Sequence, residues 1–243
     1  MSRYRVILEY DGSDLIGWQE NHQGPSVQSL LKEAIHSFCS ETVDVVGAGR
    51  TDAGVHALGM CAHFDLISNH DAETVKRALN FYLINKPVAV LSCDIVDDDF
   101  NARFSCVARH YKYVVLNRSA RPVLENKRVW WVPQSLDIEK MRTSANKLLG
   151  KHDFTSFRAS QCQAKSPIKT LDKCEIVCDG DYIVFYFSAR SFLHHQVRNM
   201  VGTLVEIGLG KDLNIEKILN DKNRSSAGVT APADGLYFIR ADY

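Results

Sequence analysis

Tyr4, Val6, Leu8 and Tyr10 alternate with Arg3, Arg5, Ile7 and Glu9, and this period of two runs into Asp11-Gly12. Successive side chains of an extended chain point to opposite faces, so the stretch reads as a strand closed by a turn. The period then changes. Behind Ser26, a residue suited to capping the first N–H groups of a helix, Val27, Leu30, Leu31, Ala34, Ile35 and Phe38 fall on one helical face. A strand followed by a helix with one apolar face calls for a sheet that the helix covers.

The same reasoning carries along the chain. Val43 to Ala48 and Met60 to Asp65 read as strands flanking a glycine-rich segment, Glu73 to Leu83 as a helix and Val88 to Val96 as a strand. The pattern loosens around Phe100 to Ala108, which places a division near residue 105, with one half at 1–105 and the other at 106–243. The second half offers strands at 109–116, 128–132, 171–178 and 182–189, and a helix at 137–149 stopped by Gly150. Helices from Phe192 to about Leu209 and from Asn214 to Leu219 precede a last strand, Leu236 to Ala241. The fold class expected is mixed α/β (α+β), in two halves of similar element order without recognisable sequence repetition.

Composition narrows the function less. The 29 basic and 29 acidic side chains cancel, so any nucleic-acid surface must be a local patch. No run approaches the roughly 18 apolar residues of a membrane span, and the N-terminus leads straight into a strand pattern instead of a signal peptide. A cytoplasmic location is expected. The seven cysteines are odd in number and scattered, without zinc-site pairing.

Gly47, Gly49 and Gly54 surround Arg50-Thr51-Asp52 within eight residues. Such a backbone can adopt positive φ and approach a ligand closely. An aspartate in a glycine-rich turn is commonly an Asx-turn or a cap, and the spacings of phosphate-binding loops are absent. Pattern alone therefore leaves two readings of Asp52, a turn residue or a carboxylate held on a shaped loop.

The segment Gly49-Arg50-Thr51-Asp52-Ala53-Gly54-Val55-His56 resembles the signature of the TruA-type tRNA pseudouridine synthases. Further blocks resemble that family in order along the chain. They are Tyr10-Asp11-Gly12 with Gly17-Trp18-Gln19, Phe100-Asn101-Ala102-Arg103-Phe104 with Ala108-Arg109-His110-Tyr111-Lys112-Tyr113, and His152-Asp153-Phe154-Thr155-Ser156-Phe157 with Cys162-Gln163-Ala164-Lys165-Ser166-Pro167. Phe192-Leu193-His194-His195 with Val197-Arg198-Asn199-Met200-Val201-Gly202, and Thr230-Ala231-Pro232-Ala233 with Gly235-Leu236-Tyr237, complete the match. Gln196 and His110 depart from the family's usual residues.

The resemblance implies a pseudouridine synthase fold with mostly antiparallel sheets flanked by helices and a central active-site cleft. It implies isomerisation of uridine at positions 38, 39 and 40 of the tRNA anticodon stem-loop by a homodimer, with no metal and no organic cofactor. Asp52 is then the nucleophile, attacking the ribose C1′ or the uracil C6, or assisting a glycal-like intermediate by taking a proton. Each route requires an ionised carboxylate, and the resemblance makes Arg198 the cation that pairs with it. Tyr111 becomes the ring at the target uridine, able to stack on a base that has left its helix. Arg50, Arg103, Arg109, Lys165 and Lys169 are the candidate phosphate contacts.

His194 and His195 invite a metal or acid-base role. Adjacent helical residues point in different directions, so packing or RNA contact is expected instead. Tyr113, two residues from Tyr111 on the same strand, is expected in the core. Two other classes fit parts of the sequence. A non-catalytic RNA-binding protein would not need Asp52, and a glycoside hydrolase would need a second carboxylate in a partner motif, which is missing.

Overall fold

Strand β1 (Ser2–Tyr10) lies between two antiparallel neighbours, β3 (His56–Leu66) and β4 (Val88–Val96), in the computed structural model, which describes residues 1–243. Its alternation is realised as read: Tyr4, Val6, Leu8 and Tyr10 are buried. On the other face Arg3 stands opposite Asp65 of β3 and Arg5 opposite Asp94 of β4, with ion-pair distances of 2.8 and 3.0 Å. Opposite charges on directly facing residues reinforce the register that burial already sets.

These strands belong to the first of two compact units, Met1–Val107 with Tyr237–Tyr243. Helix α1 (Val27–Cys39) starts where Ser26 Oγ accepts from Ser29 N at 3.0 Å, while Ser29 Oγ accepts from Ser26 N at 3.0 Å. It buries Val27, Leu30, Leu31, Ala34 and Ile35, and stops at Ser40 in the left-handed region. Helix α2 (Ala72–Tyr82), capped by Asp71, packs on α1 and on β4.

Of the apolar stretch Val43 to Ala48, only β2 (Val46–Gly47) enters the sheet, against β3. Val43 and Val45 are buried as well, so they read as a strand without joining a ladder. β3 is longer than its alternation suggested, because nearly every residue is buried and no polar face marks its length. The chain's end, β11 (Leu236–Asp242), runs parallel to β3 through Tyr237↔His56 and Phe238↔Ala57.

The second unit, Ala108–Leu236, is built on β5 (Ala108–Leu116), β10 (Tyr182–Ala189) and β9 (Lys173–Asp179), in that order and antiparallel. The expected strand at 128–132 shortens to β6 (Trp130–Trp131), parallel to the end of β5. Helix α3 (Ile138–Asn146) ends before Gly150, whose φ of 93° opens β7 (Gly150–Asp153). β7 pairs with β8 (Ile168–Leu171) as a separate two-stranded sheet. The expected strand at 171–178 is thus divided at Asp172 between β8 and β9.

Helix α4 (Gln196–Gly208) begins later than the Phe192 read from periodicity. His195 has φ of 62°, a left-handed conformation that no helix continues through, and Gln196 N turns back to Leu193 O at 3.1 Å. Every residue of α4 except Arg198 is buried. Helix α5 (Ile215–Asp221) follows, capped by Asn214. The architecture is mixed α+β, with five α-helices set on largely antiparallel sheets.

Candidate active site

Within the first unit, the loop carrying Asp52 is shaped by the segment that follows β1. Trp18 N donates to Thr51 O at 3.0 Å, Gly54 N to Leu15 O at 3.4 Å, and the Tyr10 and Thr51 hydroxyl groups are 2.8 Å apart. Gly17 takes φ of 104°, and a Cβ there would stand 2.5 Å from Thr51 O and 2.9 Å from the Asp52 carbonyl carbon. A Cβ on Gly12 would lie 2.1 Å from Val55 O, and one on Gly47 would meet the Trp18 ring at 2.4 Å. At Gly12 and Gly17 glycine is needed because two stretches of backbone pass in contact, and at Gly47 because the Trp18 ring lies against the chain. The block Tyr10 to Gln19 is therefore the brace of the block Gly49 to His56.

The loop turns on itself through Val55 N to Asp52 O at 3.2 Å, with Gly54 at φ of 81°. Thr51 is buried, Asp52 half-buried and Arg50 exposed. His56 Nδ1 accepts from Gly12 N at 3.1 Å, and its ring stacks on Tyr237 at 4.7 Å. Arg103 is exposed in the turn after β4, its guanidinium over the Phe104 ring at 5.4 Å, and Asn101 Oδ1 fixes that turn by accepting from Arg103 N and Phe104 N.

In the second unit Tyr111 and Tyr113 share one face of β5. Tyr113 is wholly buried, with its hydroxyl donating to Pro232 O at 2.8 Å. Burial pushes that phenol well above its ordinary pKa, so it stays protonated in the core, as its alternation predicts. Tyr111 is also buried, and its ring meets Phe192 edge-on at 5.1 Å. Arg109, at the start of β5, donates to Arg190 O, while Lys165 is exposed and Lys169 half-exposed.

Arg198 is held on two sides by one residue. Its Nε donates to Ala231 O at 2.8 Å, and Ala231 N donates to Arg198 O at 3.1 Å. Asn199, fully buried, donates to Phe157 O at 2.8 Å and accepts from Thr230 Oγ1 at 2.6 Å and from an Arg224 amino group at 2.9 Å. Gly228 N donates to Thr203 Oγ1 at 2.9 Å, and a Cβ on Gly202 would lie 1.8 Å from Val229 O. The closing block at Thr230 to Ala233 is thereby fastened along α4. The departures from the family pattern are accommodated locally: Gln196 Oε1 accepts from Leu193 N at 2.8 Å, leaving its buried Nε2 unpartnered, and His110 Nδ1 lies 2.7 Å from Ser188 Oγ.

The first unit thus presents a carboxylate on a glycine-built loop, and the second carries an arginine as the one unburied residue of α4. Residues 6–105 and 144–243 match the family model for tRNA pseudouridine synthase, and the chain belongs to that family. It is 54% identical to the tRNA pseudouridine synthase A of Rhodospirillum centenum, with all of both chains covered. It is 50% identical to the protein of that name from Paramagnetospirillum magneticum, covering all of this chain and 96% of the other. The corresponding protein of Bartonella quintana is 46% identical, again with all of both chains covered.

Sequence reading passed over Arg158, Arg224 and Thr230 as site residues and gave Asn199 no role beyond its place in a block. Their only signal is membership in, or closeness to, the third, fourth and closing blocks. Nothing in their spacing shows that Arg224 reaches back to α4.

Proposed function

We propose that this protein isomerises uridine to pseudouridine in tRNA, at positions 38, 39 and 40 of the anticodon stem-loop, with Asp52 as nucleophile. The observation that carries the reading is identity of 46–54% along the full chain to proteins named tRNA pseudouridine synthase A. In this reaction the bond from uracil N1 to C1′ breaks, C5 bonds to C1′, the C5 proton is lost and N1 gains one. No electrons are exchanged with a partner. In this reading Arg198 keeps the carboxylate ionised and directed, and Tyr111 receives the uridine after it leaves the stack. Arg50, Arg103, Arg109 and Lys165 contact flanking phosphates, and the enzyme works as a cytoplasmic homodimer.

Treating bulk tRNA with the purified protein, followed by carbodiimide labelling and primer extension, tests the reading directly. New stops are expected in the anticodon arm at the three adjacent positions. Their absence would overturn it in favour of an RNA-binding protein without this activity. Asp52→Asn keeps the shape of the side chain and removes its charge, so it should bind tRNA and form no product. Turnover by that variant would remove Asp52 from the nucleophile role. Light scattering of the eluted protein reads the oligomeric state, and a monomer would exclude the dimer.

A further inference from the structure

A cavity of about 530 Å³ opens in the second unit, lined by Arg158, Lys222, Arg224, His194, Gln161 and Thr230 among others, with no acidic residue in its wall. Its size lies within the range of about 300–1,000 Å³ typical of ligand sites. Three separate stretches form it: the turn after the short 3-10 helix Thr155–Phe157, the entry to α4, and the segment 222–230.

Buried hydrogen bonds fix these stretches to one another. Asn199 ties Phe157 O to Arg224 and Thr230, Ala159 N donates to His194 O at 3.0 Å, and Ser156 Oγ bridges Ile218 O and Asn223 N at 2.5 and 2.9 Å. The cavity is therefore formed before any ligand arrives, which lowers the ordering cost of binding.

Its two guanidinium groups are oriented by neutral acceptors only. Arg158 donates to Cys162 O at 2.5 Å and Ala164 O at 3.1 Å. Arg224 donates to Gly228 O, Asn199 Oδ1 and Thr230 Oγ1, each at 2.9 Å. Glu206 is paired with Lys211 at 2.5 Å and Asp153 with Lys222 at 3.5 Å. Burial pulls Arg224 below its ordinary pKa, partly offset by Glu206. Burial also pushes the Cys162 thiol up, yet the N–H groups of Ala164 and His194 and the charge of Arg158 outweigh it and bring the thiol below its usual value.

Resting on the tRNA reading above, we infer that this cavity is a subsite for a phosphodiester of the tRNA backbone, with Arg158 and Arg224 as its charged donors and Lys222 at its rim. Oriented guanidinium groups match phosphate oxygens bidentately.

The test measures tRNA affinity of the full-length protein across a series of salt concentrations. Gln161→Glu, at an exposed position, puts a negative charge in the cavity without removing a structural bond. Lys222→Asn removes a cation while suiting the left-handed φ of 48° at that position. Arg158→Gln is the third variant. Each is expected to weaken tRNA binding by about tenfold, and loss of the cation should lower the slope of log affinity against log salt by about 0.7–0.9. Wild-type affinity and slope in Gln161→Glu and Lys222→Asn would overturn the assignment. Saturable binding of inorganic phosphate or 5′-AMP, lost in these variants while tRNA affinity stays unchanged, would also overturn it by assigning the cavity to a free phosphorylated ligand. Pseudouridine formation by the wild type is scored separately, so a failed subsite and a failed activity give different results.

Discussion

Arg198 and Ala231 hold each other through two hydrogen bonds, Nε to O at 2.8 Å and backbone N to backbone O at 3.1 Å. The first engages the inner nitrogen of the guanidinium and so fixes the plane of the group, leaving its direction set by the backbone of the closing block. A planar group fixed in this way differs from a flexible ammonium, which can keep the charge and lose the direction.

This separates two ways in which Arg198 could serve the proposed chemistry. If direction matters, Arg198→Lys should lose nearly as much as Arg198→Ala, about 100-fold or more in single-turnover rate, comparable to removing one oriented donor from a catalytic site. If charge alone suffices, the lysine variant should recover most of the rate. Rapid-quench measurements with saturating enzyme read this difference without interference from product release.

Tyr111 meets Phe192 edge-on at 5.1 Å, and the proposed role gives its ring the task of stacking on the uracil. Stacking of a base on an aromatic side chain contributes about 1–3 kcal/mol, so Tyr111→Ala should cost roughly 5- to 150-fold. Tyr111→Phe keeps the ring and should retain most of that. Equal losses in kcat/KM for the two variants would show that the hydroxyl, not the ring, is the contribution.

The brace under the Asp52 loop gives a prediction about stability as well as rate. Gly17→Ala brings a Cβ to within 2.5 Å of Thr51 O at φ of 104°, so both sterics and backbone strain oppose it. A cost of about 1–3 kcal/mol is expected, with a fall in activity because the displaced backbone carries Asp52. Gly180→Ala is the control, since Gly180 has φ of 55° in open space and lies in the turn between β9 and β10. It should cost about 1 kcal/mol and leave turnover intact. Urea denaturation and initial rates on the same preparations check both.

These glycines also show how far a sequence can be read. The period of two in β1 and the capped stripe of α1 are local properties, and both appear in the structure with the expected faces buried. Gly17 carries no local sign that it exists for the sake of Thr51, 34 positions later, because the reason is a contact between backbones. The same is true of Tyr237 and Phe238, whose alternation predicts a strand and says nothing of pairing with His56 and Ala57. His195 misleads more directly. Phe192 to Leu209 is apolar at helical spacing, yet the left-handed turn at His195 delays the helix to Gln196. Asp52 and Arg198 become candidates only through the blocks around them, since neither differs in type or spacing from an ordinary turn aspartate or helix arginine.

His63 supplies a prediction about pH. It is buried on β3, where Nδ1 accepts from Ala102 N at 3.1 Å and the ring meets Phe100 edge-on at 6.1 Å. Burial, with the charge of Arg3, lowers its pKa and keeps it neutral in the folded protein, against the smaller pull of Asp65. An unfolded histidine titrates near 6.5, so between the depressed folded value and about 6.5 the unfolded chain binds more protons than the folded one. Stability therefore rises with pH through that window and is lost as pH falls through it. Asp65 acts lower on the scale: hydrogen bonding from Arg3 depresses its carboxyl, so its contribution is present above about 3.9 and disappears as pH falls through its folded value. Denaturation midpoints measured from pH 7 to pH 5 should decline in the wild type, and His63→Gln should flatten that slope whatever it does to stability at pH 7. An unchanged slope in the variant would place the proton uptake on another group.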